Sequence, residues 1–280
     1  MISLGKMVFV MGEYSVALMD FAKKLVLDCG EKLREKRRKS NFLVREKDGY
    51  SDIVTDHDIW VQQYLSERIM KQYPGHSILG EEGMGRRGDA PWKWVIDPID
   101  GTTNYCKFGK EYAISLAILY QGKPIYGFVL DVENRRFYEG HIDNWKQTAD
   151  QKESPEESIL HIGFKTMQEF SRQGADPYAL AERFCGVRYY GCASLELCSI
   201  TEEQSSFYVN TNLKLWDFAA AYVVLLSRGC KLVAVEVSKG AYFVCAYRFL
   251  SLYQQCYPYF PESVRQLLNK NGGKFFHVTD

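Results

Sequence analysis

Apolar residues recur at helical spacing at Val16, Met19, Leu25 and Val26, which predicts a helix over Ser15 to Arg34. A turn is expected at Asp48-Gly49. A second helix is expected from about Thr55, with Val61, Tyr64, Leu65, Arg68 and Ile69 on one face and an end before Pro74-Gly75. Then the pattern shortens. Trp94-Val95-Ile96 is an apolar run entering a turn at Asp97-Pro98, as a buried strand would. Ala113 to Leu119, Ile125 to Leu130 and Arg136 to Glu139 also read as strands, with turns at Gln121-Gly122 and Glu133-Asn134.

Residues 143–158 are polar and rich in Gln, Glu, Asp and Ser, and predict a linker or surface loop. Beyond it, helical signals at Pro177 to Phe184, Ser194 to Thr201, Trp216 to Arg228 (stopped by Gly229) and Pro261 to Asn269 alternate with strand signals. Those strands fall at Ser206 to Val209, Leu232 to Val237 and Tyr242 to Ala246. There is no internal repeat. The polar stretch divides the chain into an N-terminal α+β part, 1–150, and a C-terminal α/β part, 151–280. Mixed strands and helices over two halves give an α/β or α+β protein, and periodicity does not choose between them.

Apolar residues make up 46% of the 280 positions and charged residues 25%, a globular balance. Basic and acidic side chains number 35 each, so the basic surplus of a nucleic-acid binder is missing. The basic run within Glu31 to Lys39 reads as the solvated end of a helix rather than a phosphate patch. Eight cysteines are scattered without a C-x-x-C pair, which argues against zinc and redox motifs and suits reduced thiols filling a core. No run reaches the roughly 18 uncharged apolar residues of a membrane span, so the expected location is cytoplasmic, with no membrane partner.

Three acidic clusters could carry chemistry: Glu81-Glu82 after Ile78-Leu79-Gly80, Asp97-Pro98-Ile99-Asp100-Gly101-Thr102-Thr103, and Trp216-Asp217. Alone, the first is a loop with two solvated carboxylates, and Asp217 is an acid favoured at a helix start by capping and the helix dipole. The middle cluster is more specific. Pro98 stops a helix from running through it, Gly101 permits unusual backbone torsions, and Thr102 is placed to open a helix whose free N–H groups face an anion. Four carboxylates converging within about 4 Å would repel by roughly 4 kcal/mol per close pair at an effective dielectric of 20. Hard divalent cations remove that cost, and an all-oxygen set without His or Cys indicates magnesium rather than zinc.

Together, Glu81-Glu82, Asp97-Pro98-Ile99-Asp100-Gly101-Thr102 and Trp216-Asp217-Phe218-Ala219-Ala220 resemble the three signatures of the inositol monophosphatase family. Ser51-Asp52-Ile53-Val54-Thr55-Asp56-His57-Asp58, with Lys47 upstream, is similar to its N-terminal segment, and the match runs from about Lys47 to Gly229. The resemblance implies a layered αβαβα sugar-phosphatase fold, usually dimeric, that requires Mg²⁺ and is often lithium-sensitive. It implies one metal held by Glu81, Asp97 and the carbonyl of Ile99, a second by Asp97, Asp100 and Asp217, and a third by Glu81 with waters. Gly101 and Thr102 N–H groups would grip the phosphate. Glu81 and the Thr102 hydroxyl would orient the attacking water, with Asp58 behind Thr102. Asp58 also completes a capping box with Thr55, and the two roles are compatible.

The chain departs from the family pattern at the substrate. Gly191-Cys192-Ala193-Ser194 resembles the family's G-S-A wall with Cys192 in place of serine, and Asp100 with Cys192 and Ala193 would border the substrate. Asn210 stands where many members carry a glutamate that meets substrate hydroxyls, and an amide donates as well as accepts. The expected function is hydrolysis of a small phosphorylated polyol or sugar by metal-activated water. The alternatives are a nucleotide bisphosphate, NADP or fructose 1,6-bisphosphate phosphatase, and a non-catalytic regulatory member of the fold.

Overall fold

The first apolar stripe folds as one long helix, α1 (Leu4–Lys39), in the computed structural model, which describes residues 4–39, 41–47, 53–83, 88, 90–144, 152–202 and 206–270. Leu18, Ala22, Leu25, Val26, Cys29 and Leu33 are buried at three- and four-residue intervals along it. The helix outruns the Ser15 to Arg34 expectation at both ends, and at the C-terminal one Lys36, Arg37, Arg38 and Lys39 favour continuation by meeting the negative end of the helix dipole. That run is not simply solvated. Arg34 is buried, and Arg37 donates from Nε and Nη2 to the carbonyl of Tyr105, 3.3 and 3.1 Å away.

β1 (Val44–Glu46) and β2 (Ile53–Thr55) pair antiparallel; the turn expected at Asp48-Gly49 lies outside the described residues, as does Asp52. α2 (Asp56–Gln72) starts at the anticipated capping box: Thr55 N–H donates to Asp58 Oδ2 at 2.8 Å and Asp58 N–H to Thr55 Oγ1 at 3.2 Å. Arg68 falls on the exposed rim of the predicted apolar face, its guanidinium over the Tyr64 ring.

Next come β3 (Ser77–Gly80), β4 (Trp92–Asp100), the short α3 (Thr102–Lys107), β5 (Ala113–Tyr120), β6 (Lys123–Asp131) and β7 (Arg136–His141). The strands form one sheet in the order β3-β4-β5-β6-β7, parallel only between β3 and β4. Gln121 and Gly122 both take positive φ, the backbone of a two-residue hairpin that keeps the sheet's twist.

The polar stretch 143–158 keeps a 3-10 turn at Pro155–Glu157, and residues 145–151 lie outside the described ones. The second half holds β8 (Ile159–Ile162), α4 (Phe164–Arg172), α5 (Pro177–Ala181), β9 (Gly186–Arg188), α6 (Ala193–Ser199), β10 (Ser206–Leu213), α7 (Leu215–Ser227), β11 (Lys231–Ser238), β12 (Ala241–Tyr247), α8 (Leu250–Cys256) and α9 (Glu262–Lys270). Its sheet runs β11-β12-β10-β8-β9.

Strand alternation generates the layers. In β5, Ile114, Leu116 and Ile118 face the helices α1 and α2, while Ala113, Ala117 and Leu119 face α6 and α7. In β10, Tyr208 joins that middle layer, and Phe207 and Val209 pack outward against the α4, α5, α8 and α9 side. The result is five layers, helix–sheet–helix–sheet–helix, with α6 and α7 sandwiched between the sheets. All eight cysteines are free, six of them buried. Among the described residues no helix is long and apolar enough to cross a membrane.

Candidate active site

β3 and β4 are parallel neighbours, so their carboxyl ends finish side by side. β3 runs into Glu81, whose N–H donates to the carbonyl of Ile96 at 3.1 Å. β4 ends in Asp97-Pro98-Ile99-Asp100, and the register with β5 slips between Asp97 and Asp100. Proline has no N–H for the ladder, and such an irregularity re-aims side chains at a strand end. The start of α7 brings Asp217 to the same place from 117 positions later in the chain than Asp100. Glu81, Asp97, Asp100 and Asp217 together line one open cavity of about 210 Å³, with Ile99, Gly101 and Thr102.

The four acids are not equivalent. Asp97 is 2% exposed, and its Oδ1 has no hydrogen-bond partner. Burial, then Glu81, Asp100 and Asp217, hold its carboxyl well above the usual range. Burial also raises Asp100, but N–H donors oppose it: Ser194 to Oδ2 at 2.6 Å and Ala193 to Oδ1 at 3.2 Å. Asp217 is raised by burial and by Asp100, and its Oδ2 accepts from Lys214 N–H at 2.7 Å, so it caps α7 while it lines the cavity. Lys47 Nζ lies 2.8 Å from Glu81 Oε1 and 2.5 Å from Glu82 Oε1. Burial works against the Lys47 charge, but the two carboxylates outweigh it and raise the ammonium pKa. Among the described residues no three His, Cys, Asp or Glu form a ready-made metal cage. Glu81, Asp100 and Asp217 each turn to a donor of their own, Lys47, the α6 N–H groups and Lys214 N–H, while Asp97 has none.

Thr102 Oγ1 lies 2.9 Å from the carbonyl of Ile99 and 3.2 Å from Asp58 Oδ1, both acceptors for its single proton. Burial pushes the Asp58 carboxyl up to about 6, against the hydrogen bonds from Thr55 that favour its charge. Gly101 precedes α3 with φ 85°, and a Cβ there would stand 3.0 Å from the carbonyl of Glu111 and 3.1 Å from Cys192 Cβ. Conformation and space both demand glycine, which leaves its N–H and that of Thr102 at the start of α3.

The opposite wall comes from Gly191 to Ala193 and β10. Cys192 lines the cavity too but is buried, with Sγ 3.3 Å from the carbonyl of Asp100; Ala193 and Asn210 are partly exposed there. Sequence reasoning missed the residues that hold this wall. Glu196 accepts from the N–H groups of Tyr190 and Gly191, the latter at 3.0 Å, and Asn104 Nδ2 donates to the carbonyls of Glu111 at 2.9 Å and Tyr190 at 2.5 Å. Its signal was an acid inside the apolar run Leu195-Glu196-Leu197-Cys198. Tyr189, also overlooked, lines the cavity as well.

A model of the inositol monophosphatase family matches residues 16–255. The inositol-1-monophosphatase of Bacillus subtilis (strain 168) is 32% identical over 226 residues, 78% of this chain and 85% of that protein. The Nus factor SuhB of Pseudomonas aeruginosa is 29% identical over 227 residues, 76% and 83% of the two chains. A crystal structure of inositol monophosphate bound SaIMPase-II matches with TM-score 0.73 and 25% identity, covering 91% of this chain and 99% of that one. With its layered fold and these matches, the chain belongs to the inositol monophosphatase family and is a phosphoric monoester hydrolase.

Proposed function

We propose that the chain is a magnesium-dependent phosphatase that frees inorganic phosphate from the monoester of a small hydroxylated metabolite. The observation that carries this reading is Asp97, a carboxylate 2% exposed, with Oδ1 unpartnered, facing three further acids across one cavity. A buried oxygen without a donor is costly, and an all-oxygen set fits a hard cation. Cys192 adds no soft ligand, because burial holds its thiol protonated, well above its usual range. Glu81, Asp97 and the Ile99 carbonyl would hold one Mg²⁺, Asp97, Asp100 and Asp217 a second, and Glu81 with waters a third. When bound, the ions neutralise charge on the phosphoryl oxygens and lower the pKa of water.

The chain's own groups do the rest. Gly101 and Thr102 N–H groups bind the phosphate oxygens, where each donor is worth about 10²–10³ in rate. The Thr102 hydroxyl, its one proton given to Asp58 Oδ1 or to the Ile99 carbonyl, keeps a lone pair to accept from the attacking water and orient it, with Glu81 as the second acceptor. Asn210 faces the leaving group with an uncharged amide, which weighs against a site tuned to inositol alone.

Phosphate release from a panel of polyol, sugar and nucleoside monophosphates, with Mg²⁺ and with EDTA, tests the reading. Stimulation by Mg²⁺ of at least about a hundredfold is expected on one of them. Absence of Mg²⁺-dependent release from every ester would overturn it.

A further inference from the structure

α3 spans six residues, about 9 Å at 1.5 Å per residue, and its first turn is where the reading above puts the phosphate. A helix that short has little stability of its own, so what holds its two ends sets its position. The N-terminal end is tied through Thr102 Oγ1 to Ile99 and Asp58. The C-terminal end has carbonyls to satisfy. That of Asn104 accepts from the N–H groups of Phe108 and Gly109, both at 2.9 Å, and the next, that of Tyr105, takes the Arg37 guanidinium.

Arg37 comes from α1, 68 positions earlier in the chain, and it fits this place closely. Its Cζ lies 5.3 Å from the centroid of the Tyr105 ring, so one guanidinium meets both the ring and the carbonyl of the same residue. Gly109, at φ 67°, lies against the guanidinium, and a Cβ there would collide with it. Tyr105 N–H in turn donates to the carbonyl of Gly101 at 2.9 Å, which joins the residue that Arg37 grips to the residue that opens the phosphate cradle. The Tyr105 hydroxyl also meets Nδ1 of His57, the neighbour of Asp58. Arg37 is half-buried, whereas Arg38 and Lys39 are exposed and turn to other partners, Glu133 and Glu35.

We propose that Arg37 is a positioning residue for phosphate: clamped between Tyr105 and Gly109, it fixes the tilt of α3 and with it the Gly101 and Thr102 N–H groups. The inference rests on the phosphatase reading above. The acids assigned there to magnesium stand at the ends of β3 and β4 and at the start of α7, outside α3. Loss of Arg37 should therefore weaken phosphate and spare the metal.

The test measures binding of inorganic phosphate with Mg²⁺, binding of Mg²⁺ alone, both by calorimetry, and kcat on the best ester. The proteins are the native chain, Arg37→Ala, Arg37→Lys and Arg38→Ala. Arg37→Ala should bind phosphate about tenfold more weakly and lose at least about tenfold in kcat, within the cost of a misplaced group, with Mg²⁺ affinity kept within about twofold. Arg37→Lys keeps the charge and a donor without the flat fork, and should weaken phosphate by about threefold. Arg38→Ala should match the native chain throughout. Native phosphate affinity in Arg37→Ala, a parallel loss of Mg²⁺ affinity, or an equal loss in Arg38→Ala overturns the inference and leaves the phosphatase reading standing. If Arg37→Ala does not fold, Arg37→Lys decides, and native phosphate affinity there overturns the inference. If no ester is cleaved, the phosphatase reading falls and phosphate binding decides alone: weakening confined to the Arg37 variants supports the clamp, and no binding at millimolar phosphate overturns it too.

Discussion

The backbone N–H of Ser194 donates to Asp100 Oδ2 at 2.6 Å, across 94 positions of chain. With Ala193 N–H on Oδ1, Asp100 is solvated by the first turn of α6, whereas Asp97 Oδ1 has no donor at all. The two neighbours should therefore respond oppositely when the charge is removed without metal. Asp97→Asn relieves like-charge repulsion and should raise the melting temperature in EDTA by a few degrees, at roughly 2–4 °C per kcal/mol for a chain of this size. Asp100→Asn keeps an acceptor for one of its two N–H donors but turns an NH₂ toward the other, and should lower it, by about 1–3 kcal/mol of stability. Thermal unfolding with and without Mg²⁺ checks both, and Asp97→Asn should also lose the Mg²⁺-induced rise.

Lys47 occupies Glu81 with an ammonium that an entering cation must displace. Lys47→Met should consequently lower the half-saturating Mg²⁺ concentration, by roughly two- to fivefold at the effective dielectric of a partly open site. The metal-free fold should lose some stability, because Glu82 gives up one of its partners. Activity titrated against Mg²⁺ measures the first effect. A half-saturation point that rises would mean Lys47 helps place Glu81 more than it competes for it.

Two buried groups make stability depend on pH in opposite senses. Burial lowers His161 to about 4 from 6.5, so its contribution is complete above the unfolded value of 6.5 and is lost as pH falls toward 4, by up to ~3 kcal/mol. Burial raises Glu196 to about 7 from 4.5, so its contribution is complete below 4.5 and is lost as pH rises toward 7. His161→Leu should flatten the acid limb between pH 4 and 6.5, and Glu196→Gln the opposing slope between 4.5 and 7. Urea midpoints across that range separate them. His161 Nδ1 has no partner, so the leucine variant should not be less stable at pH 5.

Much of this was legible in the chain because the signals were local. Thr55 and Asp58 announce a capping box three residues apart, and Trp94 to Ile96 announces a strand by its own apolar run. α4 was not legible: its cap is Gly163 without a side-chain bond, and exposed Phe164 blurs the stripe that buried Thr166 and Phe170 define. β8 and β9 have four and three residues, too few for alternation to register. The gathering of Glu81, Asp97, Asp100 and Asp217 is a tertiary fact, and so is the hold of Glu196 and Asn104 on the facing wall. No spacing along the chain encodes which strand end meets which helix.

Distance from the cavity does not make a residue neutral, and Gly127 is the sharpest case. It lies mid-strand in β6, where a Cβ would stand 2.1 Å from the carbonyl of Ala220 in α7. Backbone cannot step aside as a side-chain end can, so Gly127→Ala must push α7 away from the sheet, at an overpacking cost of about 1–3 kcal/mol. α7 carries Asp217 in its first turn, three residues before Ala220, and a shift there moves one wall of the acidic cavity. Gly127→Ala should therefore raise the half-saturating Mg²⁺ concentration several-fold, besides lowering the melting temperature. Gly174→Ala has the same chemistry in open space, at a positive φ that alone is strained, and should cost stability without changing the Mg²⁺ titration. If both variants titrate alike, α7 is not the element that sets the position of Asp217.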